Sequence, residues 1–401
     1  MYDLAQELSK QVCELVSAAI IPSTHAVALR HYAEHFRSMG APVAALLEKT
    51  GIVPEYVEIP DTLIPLKNAY RFLDSICHSL RTEHPGLDLG LVSSPGDFGN
   101  YGRALERAPT MHKYLELGVA LHNTLTTGER FWLSENGPDV RLNISSPCDA
   151  GPGMYQSHLC TIAVILGVCR KATGVAFSSP EIGFAYRSRE KFPSVGLFEE
   201  ARIVTGLPHS YVSIPRSILS LRFPGAVAGR HEQSTNVRPL PTTLAGLLEW
   251  QIEALITESA NLHIDTVAES VGMSTRTLQR AMAKEGLNYS GMLGELRLRR
   301  AMHWLDRTDR PVMDIAIALG YNDASNFARA FRRHSGVSAR EFRKAGSQAY
   351  RDPIVHYSGG YYNVLPCGIE PPYQPGGFLT SELGCLSISC NSAYDNPISA
   401  H

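Results

Sequence analysis

Cysteine is scarce in this chain: eight residues in 401, none paired at C-x-x-C spacing. That excludes a disulfide-stapled scaffold and a structural zinc ribbon. An excess of one charge is lacking too. Lys and Arg number 37 against 39 Asp and Glu, a net of −2, so the overall charge points to no partner. The most apolar stretch, Leu159 to Cys169 (LCTIAVILGVC), falls short of the ~20 residues that span a bilayer, and no membrane association is expected. Met1 to Ala19 carries Asp3, Glu7, Lys10 and Glu14 within its apolar positions, so it lacks the uninterrupted core of about 7–15 residues that marks a signal peptide. Leu4, Leu8, Val12 and Leu15 instead recur at helical spacing. These features predict a cytoplasmic protein.

Catalytic signatures are missing as well. There is no G-x-S-x-G elbow, no phosphate-cradling G-x-x-x-x-G-K-[ST] loop and no H-E-x-x-H. A Ser/His/Asp triad has no fixed local spacing against which to test the sequence. His31 and His35 stand at i, i+4, but no carboxylate or cysteine sits at a fitting distance, so neither a metal nor a cofactor is expected. What remains is an ordinary globular balance, 44% apolar and 19% charged, with length enough for two or three domains.

Composition divides the chain. Residues 1–223 mix helical and strand-like patterns. In them Arg130 to Leu142 (RFWLSENGPDVRL) reads as a hairpin turned at Asn-Gly, and Leu159 to Cys169 as a buried helix with Cys160 and Cys169 as small core residues. Residues 224–243 (PGAVAGRHEQSTNVRPLPTT) are rich in proline and polar residues and read as a linker. Residues 244–345 are almost wholly helical in pattern. Residues 346–401 are dense in Gly, Pro, Ser and Tyr, and are expected to be a disordered tail. The tail's Cys367, Cys385 and Cys390 lack a close histidine and predict no metal site.

The near-neutral total hides an asymmetry. Between Ser274 and Ala345 fourteen basic residues face seven acidic ones, a net of +7, which leaves −9 for the rest. A basic helical block on an acidic body is the electrostatic footprint of nucleic-acid binding.

A motif lies within that block. In DTVAESVGMSTRTLQRAMAKE (Asp265 to Glu285), Val267, Ala268 and Val271 form the apolar face of a short helix. Gly272 permits a tight turn, Ser274 is an N-cap, and Leu278 and Met282 return onto the first helix. This leaves Thr275, Arg276, Gln279 and Arg280 outside, and Arg and Gln suit bidentate contacts to guanine and adenine edges. About fifty residues later the pattern recurs in VMDIAIALGYNDASNFARAFRR (Val312 to Arg333). Ile315, Ala316, Leu319 and Gly320 take the corresponding places, Asp323 is the N-cap, and Phe327 and Phe331 return. Between the two, Gly294 to Leu305 reads as one helix with Arg297 and Arg299 pointing out, a spacer between two recognition helices.

Residues 244–345 thus resemble the DNA-binding domain of the AraC/XylS family of bacterial transcriptional regulators, most closely in DIAIALGYNDASNFARAFRRHSGVSAREFR. Ala339 departs from it where many members carry proline, and Met282 where an aromatic is common. The resemblance implies base contacts from Arg276, Gln279 and Arg280 in the first unit and Ser325, Asn326 and Arg329 in the second. It implies backbone contacts from Thr275, Arg332, Arg333, Arg340 and Arg343. GAPVAALLEKTG (Gly40 to Gly51), LDLGL (Leu87 to Leu91), FGNYGRALERAPTMHKYLEL (Phe98 to Leu117) and SYVSIPRSILSLRFPG (Ser210 to Gly225) are similar to the effector domain of the branch with an arabinose-binding-domain-like N-terminal half.

The fold class implied is an α+β effector-binding and dimerisation domain, then an all-α DNA-binding domain with two helix-turn-helix units joined by a linker helix. The function implied is a ligand-responsive, sequence-specific activator and not an enzyme. Its partners would be double-stranded DNA, RNA polymerase, a small-molecule effector of unknown pocket and a second copy of the chain. Two rivals stand beside it: a constitutive architectural DNA binder, and an alkyl-transfer repair enzyme using Cys77 or Cys148.

Overall fold

The computed structural model describes residues 21–346 apart from 60, 148–150, 175–176, 187–197, 199, 224–236 and 257–261. The expectations for the amphipathic N-terminus, the first part of the linker, Cys148 and the tail lie outside the described residues.

The N-terminal half opens with a two-stranded ribbon, β1 (Ser23–His25) against β2 (Leu63–Pro65), antiparallel with Thr24 opposite Ile64. Helices α1 (Ala26–Ser38), α2 (Val43–Lys49), α3 (Pro54–Glu58) and α4 (Leu66–Leu80) gather beside it around Leu29, Phe36, Leu47, Phe72 and Ile76. Three more follow: α5 (Pro85–Val92), α6 (Gly99–Leu105) and α7 (Met111–Leu121). The hairpin expected from the sequence is β3 (Arg130–Asn136) with β4 (Asp139–Ser145), and Asn136 pairs with Asp139 across a turn in which Gly137 has φ +60°.

Helix α8 (Pro152–Thr173) runs well beyond the apolar stretch that marks it in the sequence. At 22 residues it is long enough to cross a bilayer, but most of it is buried inside the protein, Cys160 and Cys169 included. It packs on a five-stranded sheet of order β3-β4-β7-β5-β6, completed by β5 (Glu181–Phe184), β6 (Arg202–Thr205) and β7 (Ser210–Pro215). All neighbours are antiparallel except β5 and β6. The glycine of LDLGL explains that motif, because a side chain at Gly90 would meet the Cys160 carbonyl oxygen of α8 at 2.8 Å. The resemblance of Ser210 to Gly225 implies a strand and then a helix, and after β7 the structure shows only a 3-10 turn at Arg216–Ile218.

The C-terminal half is all helical: α9 (Leu244–Leu255), α10 (Ile264–Ser270), α11 (Thr275–Lys284), α12 (Tyr289–Arg307), α13 (Val312–Ala318), α14 (Ala324–Ser335) and α15 (Ala339–Ala345). The spacer helix α12 has 19 residues, ~28 Å, and packs against α9, α13 and α15. Its Arg299 faces Glu253 at 3.2 Å. Contrary to the sequence expectation Arg297 does not simply point outward, because its guanidinium lies over the Tyr321 ring, 5.5 Å from the centroid.

The core of this half reaches into the N-terminal half through Leu63, with Tyr56 and Ile59 packed beside it. The buried Gln251 of α9 accepts from the Leu63 N–H at 3.0 Å and donates to the Leu63 carbonyl at 3.1 Å. Its amide so completes the free edge of β2, which a buried strand edge requires. Trp250 Nε1 donates to the Asp61 carbonyl at 2.5 Å.

Candidate nucleic-acid interface

Each helix-turn-helix is built as its residue pattern demands. In the first, Val267, Ala268 and Val271 are buried against Leu278 and Met282. Gly272 turns the chain at φ +69°, where a β-carbon is strained. Ser274 Oγ accepts from the Thr277 N–H at 3.2 Å and caps α11. In the second, Ile315, Ala316 and Leu319 meet Phe327 and Phe331. Gly320 has φ +77°, and Asp323 Oδ1 accepts from the Asn326 N–H at 2.7 Å. The aromatic contacts continue from Tyr321 to Phe327 to Phe331 to Phe342 at centroid distances of 5.3, 5.6 and 5.7 Å.

With those faces buried, the opposite faces are open. Arg276, Gln279 and Arg280 are exposed on α11, where Thr275 is half-buried at the first turn. Ser325, Asn326 and Arg329 are exposed on α14. The two faces differ in one respect. Asn326 is already engaged, donating to Asp323 Oδ2 and accepting from Arg329 Nη2 at 2.6 Å. Arg332 and Arg333 on α14 and Arg340 on α15 are exposed. Arg343 is half-buried and donates to the Arg310 carbonyl, so it sits further back than the other three.

The departure at Ala339 is compensated locally. Ser338 N–H donates to Glu341 Oε2 at 2.8 Å, and Ser338 Oγ accepts from the Glu341 N–H at 3.2 Å, a capping box that starts α15 without proline. The Ser338 hydrogen bonds hold the Glu341 carboxyl below its ordinary range.

Alkyl transfer finds no support at Cys77. Burial pushes its thiol up to about 12, far from the thiolate that such chemistry needs. Among the described residues no group of three or more His, Cys, Asp and Glu is placed to hold a metal. His31 of α1 makes its bond to Ser93 Oγ at 2.7 Å.

Sequence reasoning misses two features. One is the Gln251–Leu63 contact, which joins positions 188 apart. The other is a buried polar cluster around Glu129, assembled from Tyr70, His122 and His158. Neither has a local spacing to read, because each partner comes from a different element.

Two capped recognition helices on a shared helical scaffold define a DNA-binding protein of the double helix-turn-helix class. A family model described as a helix-turn-helix domain matches residues 267–345, and one described as the N-terminal arabinose-binding domain of AraC transcription regulators matches residues 40–223. Together they cover about two thirds of the chain, which belongs to the AraC/XylS family of transcriptional regulators. The chain is similar to the ornithine utilization regulator of Pseudomonas aeruginosa, 25% identical over 347 residues that cover 82% of this chain and 98% of the relative. It is also similar to the activator RhaS of Enterobacter sp. (strain 638), 41% identical over 81 residues, 20% of this chain and 29% of the relative. Among solved structures, the regulator CdpR of Pseudomonas aeruginosa is 20% identical, with 77% of this chain and 98% of that one covered and a TM-score of 0.34. The matched families and relatives regulate transcription and are not enzymes, and this chain is a transcriptional regulator with an AraC-type DNA-binding domain.

Proposed function

We propose that this regulator is a ligand-responsive activator that reads two successive major grooves, one with α11 and one with α14. The observation that carries the reading is the pair of capped helices whose buried faces leave Arg276, Gln279 and Arg280, and Ser325, Asn326 and Arg329, open to solvent. Those six residues read bases. Thr275, Arg332, Arg333, Arg340 and Arg343 hold the phosphate backbone. Residues 1–223 form the effector-binding and dimerisation domain, 224–243 the linker and 244–345 the DNA-binding domain. The protein acts in the cytoplasm and activates through RNA polymerase. Its similarity to a regulator named for ornithine utilization makes genes of ornithine utilization the first place to look for targets.

The test is selection of bound fragments from a bacterial genome by the purified protein at two salt concentrations. A shared motif of two short blocks about one helical turn apart supports paired reading. Binding without a motif, lost steeply with salt, reduces the protein to a phosphate-gripping architectural one.

A further inference from the structure

The N-terminal half holds two cavities that share a wall. The first encloses about 590 Å³, its open mouth included, between α6, α7, the sheet and α8. Its lining is mostly apolar, Phe98, Leu105, Tyr114 and Phe131 among it, with His122 as a polar exception. The second, about 530 Å³ on the same measure, lies between α1, α4 and β1, with Thr24, Tyr70, Glu129 and Ser157 in its lining. Phe98, Leu125 and Thr161 line both. A largely apolar space with a few convergent polar groups is the usual form of a small-molecule site.

Glu129 and His122 meet where the two cavities adjoin. The Glu129 side chain is 9% exposed and accepts from the Tyr70 hydroxyl, while its Oε2 faces His122 Nε2 at 3.3 Å. Its Oε1 lies 3.9 Å from His158 Nε2. Burial pushes the Glu129 carboxyl up, but the contacts with His122, His158 and Tyr70 outweigh it and hold the carboxyl below its ordinary range. Burial lowers His158 to about 4, so it adds no positive charge at neutral pH. His122 is only 5% exposed and stacks on Phe131 at 3.6 Å. Neither ring nitrogen of His122 has a hydrogen-bond partner, and Nε2 stands 3.3 Å from Glu129 Oε2. Among the described residues no Lys or Arg lines either cavity.

We propose that these joined cavities are the effector site, and that the effector is a small molecule with an apolar, preferably aromatic, body and a protonated amine. The ammonium sits against the Glu129 carboxylate in the polar cavity, and the body fills the apolar one. A carboxylate or phosphate is disfavoured, because it would lie beside the Glu129 carboxylate in a space that no Lys or Arg lines. The proposal rests on the ligand-responsive reading above and supplies it with a route. Leu66, Ala69 and Tyr70 of α4 line the polar cavity. Helix α4 starts directly after β2, whose Leu63 is held by Gln251. Pro65 at the same corner stands beside Gly272, where a β-carbon would come within 3.1 Å of it. A ligand that prefers one position of α4 therefore biases the contact with the first helix-turn-helix.

The test uses the full-length protein and three compounds with one body: 2-phenylethylamine, 2-phenylethanol and phenylacetate. Thermal unfolding and calorimetric titration read binding, and DNA affinity is measured separately. The amine is expected to raise the melting temperature and to bind about tenfold or more tighter than the alcohol, with no binding of phenylacetate. Glu129→Gln is expected to erase the preference of amine over alcohol. Should that variant fail to fold, Thr161→Leu, which narrows the shared wall, is expected to weaken both compounds together. Equal or tighter binding of phenylacetate, failure of the amine to bind, or an unchanged preference in Glu129→Gln overturns the proposal. So does unchanged binding in Thr161→Leu. Sequence-specific DNA binding that persists when the amine fails brings down this site alone. Amine binding without any DNA motif brings down the regulator reading alone.

Discussion

The two helix-turn-helix units share a backbone plan and differ in what surrounds them. The first has an aliphatic core of Val267, Ala268, Val271, Leu278 and Met282, and its turn glycine stands against Pro65 and Asn68 of the N-terminal half. The second is packed by the aromatic series from Tyr321 to Phe342. Its exposed Asn326 is tied to Asp323 and Arg329, while among the described residues no such network engages Arg276 or Gln279. The difference teaches how two similar readers can do unlike work. The second unit is stiffened from within, and the first is placed where the N-terminal half can touch it.

Four groups of substitutions or conditions separate these descriptions. The largest effect is expected from the cores. Phe331→Ala should cost about 3–5 kcal/mol and Met282→Ala about 2–5 kcal/mol, with Phe331 the greater because it links two aromatic neighbours. Urea unfolding of the two variants side by side checks the order, and equal losses would erase the distinction between the cores.

Next come the readers. Gln279→Ala should lose about 1–3 kcal/mol of discrimination at one base pair, whereas Asn326→Ala should lose less, because Asn326 must first give up its present partners. Competition binding with single-base operator variants measures both. Arg332→Ala should instead weaken all sequences alike and reduce the salt slope by about 1.

Burial lowers a histidine in each half, His158 in the N-terminal one and His303 in the DNA-binding one, and His158 carries the large shift. His158 has its pKa lowered by burial to about 4, against 6.5 in the unfolded chain. The unfolded state therefore takes up the proton first, so stability is full above about pH 6.5 and falls as the pH drops toward 4. Between pH 7 and pH 5 the loss from this group is about 2 kcal/mol. Denaturant unfolding at the two pH values checks it, and His158→Gln should flatten the dependence.

The smallest effect concerns the turns. Gly272→Ala and Gly320→Ala each force a positive φ on a β-carbon, at about 1–2 kcal/mol. At Gly272 the added β-carbon also presses on Pro65 and Asn68, so Gly272→Ala should alter DNA affinity besides. A melting comparison with an operator titration distinguishes them.

Both units were legible in the chain because their signals are local. A small residue, a glycine four or more positions on, a capping side chain and apolar residues four apart specify a helix pair with little help from elsewhere. The hairpin at Asn136–Gly137 and the burial of Cys160 and Cys169 were legible for the same reason. The helix that the resemblance implies after β7 does not form, and the chain closes only one 3-10 turn there. That helix α8 extends beyond its apolar stretch is not legible, because the polar Gln156 and His158 of its second turn look like surface until the Gly86 N–H and Ser210 take up their polar atoms.

By itself the sequence determined the class of this protein: two recognition helices, their caps, their turns and a basic block around them. Each of those depends on residues within one or two turns of each other, so periodicity and spacing suffice. Only the tertiary structure decided that Glu129, His122, Tyr70 and His158 surround one buried space, and that Gln251 completes the edge of a strand 188 residues earlier. Those groups are brought together by the packing of α4, α7, α8, α9 and the sheet. Burial then gives them their chemistry, because a carboxylate or an amide out of reach of water must find its partners in whatever the fold places beside it.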